Sequence, residues 1–310
     1  MAASSSNSPE AEATPPPWEE LPREITAAIL RRLGTVEMVT TAQNVCTTWR
    51  SVCRNPSMWQ CIDMRSITYE APPNSEMVCY DAVDWSNGEL TDIRIDFFGT
   101  DDLLLYISER SSQLRSLRLV YCTHITHEGI MEAVKYLPLL EELVIHCIYL
   151  SAKAIETIGR SCPLLKSFNY NGHWSKYMVS NLEAQAIAKN MPALRHLQLF
   201  GNKMGNEGVH AILEGCPNLE SLDLRKCFHV RLSGDLGKLC SERIRDLKLP
   251  NESTDDVYQF AVTGTSGYAT SHSDDETSDD DYVKEKITRK QRNRKTKKQK
   301  QKKNNKRMFD

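Results

Sequence analysis

The sequence predicts an α/β chain: a small helical module at the N-terminus, then a solenoid of short parallel strands inside and helices outside, between disordered termini. Three observations carry this reading. An apolar motif recurs about every 25 residues between 90 and 249, apolar side chains fall at helical spacings between 21 and 59, and both ends are poor in large apolar residues.

The recurring motif is Leu-x-x-Leu-x-Leu. It appears as Leu90-Ile93-Ile95, Leu114-Leu117-Leu119, Leu140-Leu143-Ile145, Leu165-Phe168-Tyr170, Leu194-Leu197-Leu199, Leu219-Leu222-Leu224 and Ile244-Leu247-Leu249. Successive copies start 24, 26, 25, 29, 25 and 25 residues apart. A fixed period of this size with a strand signature marks a leucine-rich solenoid, in which each unit buries its apolar face only against its neighbours. Within a copy the second and third apolar residues alternate with polar ones, so one short strand points both into the core. Cys122 and Cys227 stand eight residues after their leading Leu, with His173 and Asn202 at the same place in other copies; small polar groups there satisfy backbone as the chain leaves the strand. A helical stretch follows, and Pro138, Pro163, Pro192 and Pro217 each stop one two residues before the next Leu. The copy from Leu140 carries Cys147 one place early, and the copy from Leu165 is lengthened by residues 172–177.

In the N-terminal module, Leu21-Pro22, Ile25, Ile29-Leu30, Leu33, Val36, Val39, Ala42, Val45, Trp49, Val52 and Trp59 recur at helical spacings, with Gly34 and Pro56 separating short helices. Fewer than fifty residues cannot bury so many large side chains, so the rest of the chain or another protein covers them. Leu21-Pro22-x-x-Ile25, Ile29-Leu30-x-x-Leu33, Val45-Cys46-x-x-Trp49-Arg50 and Pro56-Ser57-Met58-Trp59 together resemble an F-box, in the form found in plant F-box proteins with leucine-rich repeats. The Cys162-Pro163 and Cys216-Pro217 pairs, with Ile125-Thr126-x-x-Gly129-Ile130, are similar to the cysteine-containing repeats that accompany it. The resemblance covers about residues 18–250. It implies a three-helix F-box docking a Skp-type adaptor, and through it a cullin and a RING protein, in an SCF ubiquitin ligase. Carried over position by position, the adaptor-binding residues are Leu21, Pro22, Ile25, Ile29, Leu33, Val45 and Trp49. Leu21 with Pro22 is the pair to change, and Trp49→Ala is expected to cost ~3–5 kcal/mol in folding if the ring is fully buried. The competing reading is a helical subdomain that packs only on its own chain.

The boundaries expected are a disordered leader over 1–17, the F-box over 18–64, about seven repeats over 65–262, and a disordered tail over 263–310. Formal net charge is −2, but residues 284–307 hold fourteen Lys and Arg against one acid, a local +13, directly after the acidic runs at 274–276 and 279–281. Such blocks cannot bury enough apolar surface to offset ordering. For the basic run Arg289, Lys290, Arg292, Arg294, Lys295, Lys297 and Lys298 the readings are nuclear import, nucleic-acid contact through this tail alone, or a solvated tail with neither role. The N-terminus lacks a signal-peptide pattern and no apolar run is long enough to span a membrane, which predicts a nuclear or cytoplasmic, reducing setting in which the ten Cys are small core residues.

No phosphate-binding loop is present, and no cofactor is expected. Cys122-x-His124-x-x-His127 and Cys227-x-His229 sit where the repeat already explains the Cys, and neither has a second ligand pair at zinc-finger spacing, so no metal is expected. No residue stands outside the repeat as a nucleophile; the chain reads as a non-catalytic receptor whose target is an unknown protein substrate. Alternation places Arg94, Arg118, Val144, Asn169, Gln198, Asp223 and Lys248 on the concave face. On that face and the long repeat, the expected substrate contacts are Arg118, Val120, Val144, Trp174, Tyr177, Gln198, Phe200 and Arg225, with Val120, Val144 and Phe200 exposed. An inert face with Trp174 tucked inward is the alternative. The second functional reading is a nuclear binding scaffold without a ligase, using the repeats and the basic tail.

Overall fold

Each Leu-x-x-Leu-x-Leu copy forms one strand of a single parallel sheet whose strands lie in chain order. The computed structural model describes residues 21–65, 71, 73–171 and 178–253. The chain divides into two units, 1–253 and 254–310, and every described residue falls in the first. The strands are β1 Cys61–Met64, β2 Asp92–Asp96, β3 Ser116–Val120, β4 Glu142–His146, β5 Ser167–Asn171, β6 His196–Gln198, β7 Ser221–Asp223 and β8 Asp246–Lys248. Register keeps the apolar ladders continuous: Ile93, Leu117, Leu143, Phe168, Leu197, Leu222 and Leu247 lie side by side. Ile95, Leu119, Ile145 and Tyr170 form the second row. Most of these side chains are fully buried, so the solenoid core is these two rows together with the inward faces of the helices.

The outer layer is α4 Ser75–Ser86, α5 Asp101–Arg110, α6 His127–Ala133, α7 Ala152–Ser161, α8 Leu182–Asn190, α9 Asn206–Gly215 and α10 Gly234–Arg243. Local chemistry fixes where several of them begin. Thr100, Thr126 and Ser151 each accept a backbone N–H three residues on, from Leu103, Gly129 and Ala154. Adjacent helices approach closely at small residues. A methyl at Gly215 would run into the Ala188 carbonyl oxygen of α8, and one at Gly159 would stand 2.6 Å from the Asn190 carbonyl oxygen. Neither backbone can yield cheaply, so Gly215→Ala is expected to cost about 1–3 kcal/mol, read as a lower urea midpoint at unchanged slope.

The chain leaves its strands in a left-handed conformation at Phe97 (φ 68), Tyr121 (φ 56), Cys147 (φ 60), Gly201 (φ 67) and Lys226 (φ 63). At each of these the N–H donates to the next repeat, to the carbonyls of Val120, His146, Asn171, Arg225 and Pro250 at 2.9–3.1 Å. One N–H is thereby satisfied per turn, against the steric cost of positive φ at bulky residues. The expected role of the small residues beyond the strand is also visible. The Cys122 thiol donates to the Ile95 carbonyl at 3.4 Å and Cys227 to Leu199 at 2.9 Å, while Asn202 Oδ1 accepts from Met204 N–H at 2.9 Å. Burial pushes both thiols up to about 12, which holds them protonated and able to donate.

The N-terminal module contains α1 Arg23–Leu30, α2 Thr35–Thr40 and α3 Thr47–Cys53, then a 3-10 turn over Pro56–Met58. It runs without a break into the sheet. β1 lies inside the run 18–64, yet it pairs with β2 as the first strand of the solenoid. Thr35 Oγ1 accepts from Asp63 N–H at 3.2 Å, and the Trp59 ring meets Trp85 of α4 edge-on at 5.4 Å.

Candidate docking surfaces

The helical module hides one side of its apolar residues and shows the other. Leu30, Met38, Val39, Ala42, Val52, Cys53, Met58 and Trp59 are buried. Pro22 opens α1, and its carbonyl accepts from both Thr26 N–H (3.0 Å) and Thr26 Oγ1 (3.2 Å). That turn sends Thr26 and Leu30 inward and leaves Ile25 exposed and Ile29 half-buried at i,i+4 on the adjoining strip of the helix, with Leu21 half-buried ahead of the cap. Ile25 is 50 % exposed and Val45, just before α3, is 57 % exposed. Leu21, Ile29, Leu33 and Trp49 are half-buried, and Pro22 is exposed. All seven positions carried over from the F-box pattern thus retain accessible surface.

Trp49 differs from the sequence expectation in one respect: the condition of full burial is not met. The ring is half-buried, Trp49 N–H donates to Cys46 Sγ at 3.4 Å, and its indole N–H is buried without an acceptor among the described residues. Among the described residues of the module, the fully buried tryptophan is Trp59. It donates Nε1–H to the Cys53 carbonyl at 2.5 Å.

On the concave face, register places Asp63, Arg94, Arg118, Val144, Asn169, Gln198, Asp223 and Lys248 in one row across all eight strands. Asp96, Val120, His146 and Asn171 form the row beyond it. Arg118 and Gln198 are half-buried and accessible, as alternation predicts. Val120 (3 %), Val144 (3 %) and Phe200 (0 %) are not exposed, which corrects the expectation for all three. Each valine is short and sits between longer neighbours in register: Val144 between Arg118 and Asn169, Val120 between Asp96 and His146. Phe200 lies past the end of β6, where the chain turns and strict alternation no longer governs its direction. Arg225 is also buried (2 %), held by Asp223 through Nε and Nη2 and by the Ser253 carbonyl through Nη1. Trp174, Tyr177 and the basic run from Arg289 to Lys298 lie outside the described residues.

Among the described residues, the strongly shifted histidine lies on the same face. Burial first, and then the nearby Arg94 charge, lowers His146 from its ordinary range to about 4. The folded protein therefore keeps this ring neutral, whereas the unfolded chain protonates it below about 6.5. The stabilisation is fully present above that value and is lost as pH falls from about 6.5 to about 4. Across this window its contribution amounts to roughly 3 kcal/mol at most. Urea titrations at pH 7 and pH 4.5 are expected to differ less in His146→Leu than in the wild type. An equal loss in both would remove His146 as the cause.

Comparison with known proteins bears on both modules. The F-box-like family matches residues 18–65, and a leucine-rich-repeat family matches residues 190–213. The chain is 49 % identical over 244 residues to F-box/LRR-repeat protein 23 of Arabidopsis thaliana, covering 77 % of this chain and 54 % of that one. It thus spans about half the length of that relative. It is 46 % identical to the F-box protein SKIP19 of Arabidopsis thaliana, over 86 % of this chain and 87 % of that protein. To F-box/LRR-repeat protein 22 of the same plant it is 44 % identical, over 83 % and 84 %. With the helical module, the strand ladder and these matches in agreement, the chain belongs to the F-box proteins with leucine-rich repeats.

Proposed function

We propose that the chain is the substrate-recognition subunit of an SCF ubiquitin ligase. The F-box docks a Skp-type adaptor and the repeats hold the protein to be ubiquitinated. The observation that carries the reading is that Ile25 and Val45, two large apolar side chains of the F-box pattern, are half or more exposed, while Leu21, Ile29, Leu33 and Trp49 are only partly buried. Exposed apolar patches of this kind mark partners. Cullin and RING protein join through the adaptor, and the RING protein with its conjugating partner performs the transfer, so this chain contributes binding and positioning. Its setting is the nucleus, the cytoplasm or both, with the basic tail as the import candidate. The test is co-purification of the full chain with a Skp-type adaptor: a stoichiometric complex supports the reading. A folded chain that forms none sinks it, and leaves a nuclear scaffold built on repeats and tail.

A further inference from the structure

The two ends of the sheet are finished differently. At the first, α2 reaches β1, with Thr35 Oγ1 accepting the Asp63 N–H at 3.2 Å. At the last, β8 pairs with β7 on one side, and among the described residues no strand lies on the other. Asp246 N–H donates to the Glu220 carbonyl and the Lys248 carbonyl accepts from Leu224 N–H, so the backbone of both residues faces β7. Backbone direction alternates along a strand, so the N–H and C=O of Leu247 face the open edge. Two residues on, the chain closes that edge itself. The Glu252 carboxylate accepts the Leu249 N–H at 2.9 Å, and Pro250 has no N–H to offer. The core behind the edge is open as well. Leu247 is half-buried and Leu249 is 42 % exposed, whereas Leu222 and Leu224 at the same places one repeat earlier are fully buried. With α10 these two leucines border a groove of about 450 Å³. A terminal repeat with an apolar outer side calls for a cover.

We propose that a second copy of this chain covers this end, with β8 pairing antiparallel to the other copy's β8 across a twofold axis at Leu247. Charge complementarity selects this occupant. The symmetric register sets Leu247 opposite Leu247, where the two exchange both backbone hydrogen bonds. It also sets each Asp246 opposite the other copy's Lys248, on the concave side of the sheet. Asp246 is exposed there and accepts from Ser221 Oγ at 3.2 Å. A parallel pairing would instead face Asp246 with Asp246 and Lys248 with Lys248. The same axis runs α10 antiparallel to its copy. The groove side of α10 carries Lys238 and Glu242, four residues apart, neither with an ion-pair partner among the described residues. Antiparallel copies bring Lys238 towards Glu242 in both directions. Leu247 and Leu249 of each copy meet in the groove and leave water. The pairing closes on itself, because it consumes the open edge of each copy while α2 stands at the other end of each sheet. The helical modules lie beyond the first strands, far from the axis, so the dimer leaves Ile25 and Val45 exposed.

Sedimentation velocity of the full chain between 1 and 200 µM reads the association. Sodium chloride at 0.3 M screens long-range attraction between the basic tail and other copies. The mass is expected to pass from one chain to two, with a dissociation constant of roughly 10 µM for so small an interface. Leu249→Asp is expected to weaken the dimer at least tenfold. Asp246→Lys is expected to weaken it at least threefold, because it sets like charges opposite each other in both halves. Adding Lys248→Asp to that variant restores opposite charges at unchanged net charge, and affinity is expected to return within twofold of the wild type. A purely structural role for these side chains would instead make the double variant worse than the single. A circular-dichroism melt accompanies each chain, and if Leu249→Asp melts early the charge exchange decides alone. Four results would overturn the proposal. They are a single-chain mass throughout, which leaves the end to some other occupant; a folded Leu249→Asp that dimerises as the wild type does; a double variant as weak as Asp246→Lys; and masses that grow past two chains.

Discussion

Trp59→Ala is expected to be the most destabilising single substitution in the junction between the F-box and the repeats. The side chain is fully buried, its ring packs edge-on against Trp85 at 5.4 Å, and its N–H donates to the Cys53 carbonyl at the end of α3. Removing the indole leaves a cavity that costs ~3–5 kcal/mol, and the abandoned carbonyl adds about 1 kcal/mol. That is a large part of the stability of an ordinary domain. In a solenoid each unit leans only on its neighbours, so the damage is expected to concentrate in the N-terminal third. Hydrogen exchange should show lost protection in α3, β1 and α4, with β6 to β8 little changed. A loss under about 1.5 kcal/mol by urea unfolding, with uniform protection, would show that this contact does not join the modules. Arg54 stands over the Trp85 ring at 5.4 Å on the exposed side, so a milder Trp85→Phe change tests the same joint without opening the core.

The choice of tryptophan shows where sequence and structure part. Both Trp49 and Trp59 belong to the F-box pattern, and spacing alone gives no reason to bury one more deeply. The difference arises from Trp85, which lies on α4, outside the pattern. α4 itself carries no repeat signature, because its buried positions Val78, Cys79, Ala82 and Val83 are small and lie beside Asp81 and Asp84. β1 escaped notice for a related reason. Its four residues sit inside the F-box run, and only pairing with β2 reveals them as the first strand of the sheet. The repeats were legible because leucine spacing follows directly from the strand ladder, in which Leu117, Leu143 and Leu197 occupy one row. The concave face was legible in direction and not in depth. Alternation says which side of the sheet Val144 occupies, whereas its accessibility depends on how long its register neighbours Arg118 and Asn169 are on the flanking strands.

An F-box carrying Ile25→Asp and Val45→Asp is expected to keep its fold and to lose the adaptor. Both side chains are half or more exposed, so in the isolated chain the substitutions fall among surface changes worth within about ±0.5 kcal/mol. Ile25 lies in the first turn of α1, where a carboxylate is favoured by the helix dipole. In a complex the same carboxylates would be driven into an apolar contact without a partner, at about 2 kcal/mol or more each, so together they weaken docking by roughly a thousandfold. This pair separates binding from folding better than Leu21 and Pro22, because Pro22 opens α1 and its carbonyl anchors Thr26. Trp49 is worse still, since it packs partly on the core and its backbone N–H is capped by Cys46. Size-exclusion co-purification with a Skp-type adaptor, beside a melting curve for each chain, reads both quantities. If the double variant melts with the wild type and elutes alone, Ile25 and Val45 belong to the docking surface. If it still carries a stoichiometric adaptor, the adaptor binds elsewhere and Ile25 and Val45 face some other partner.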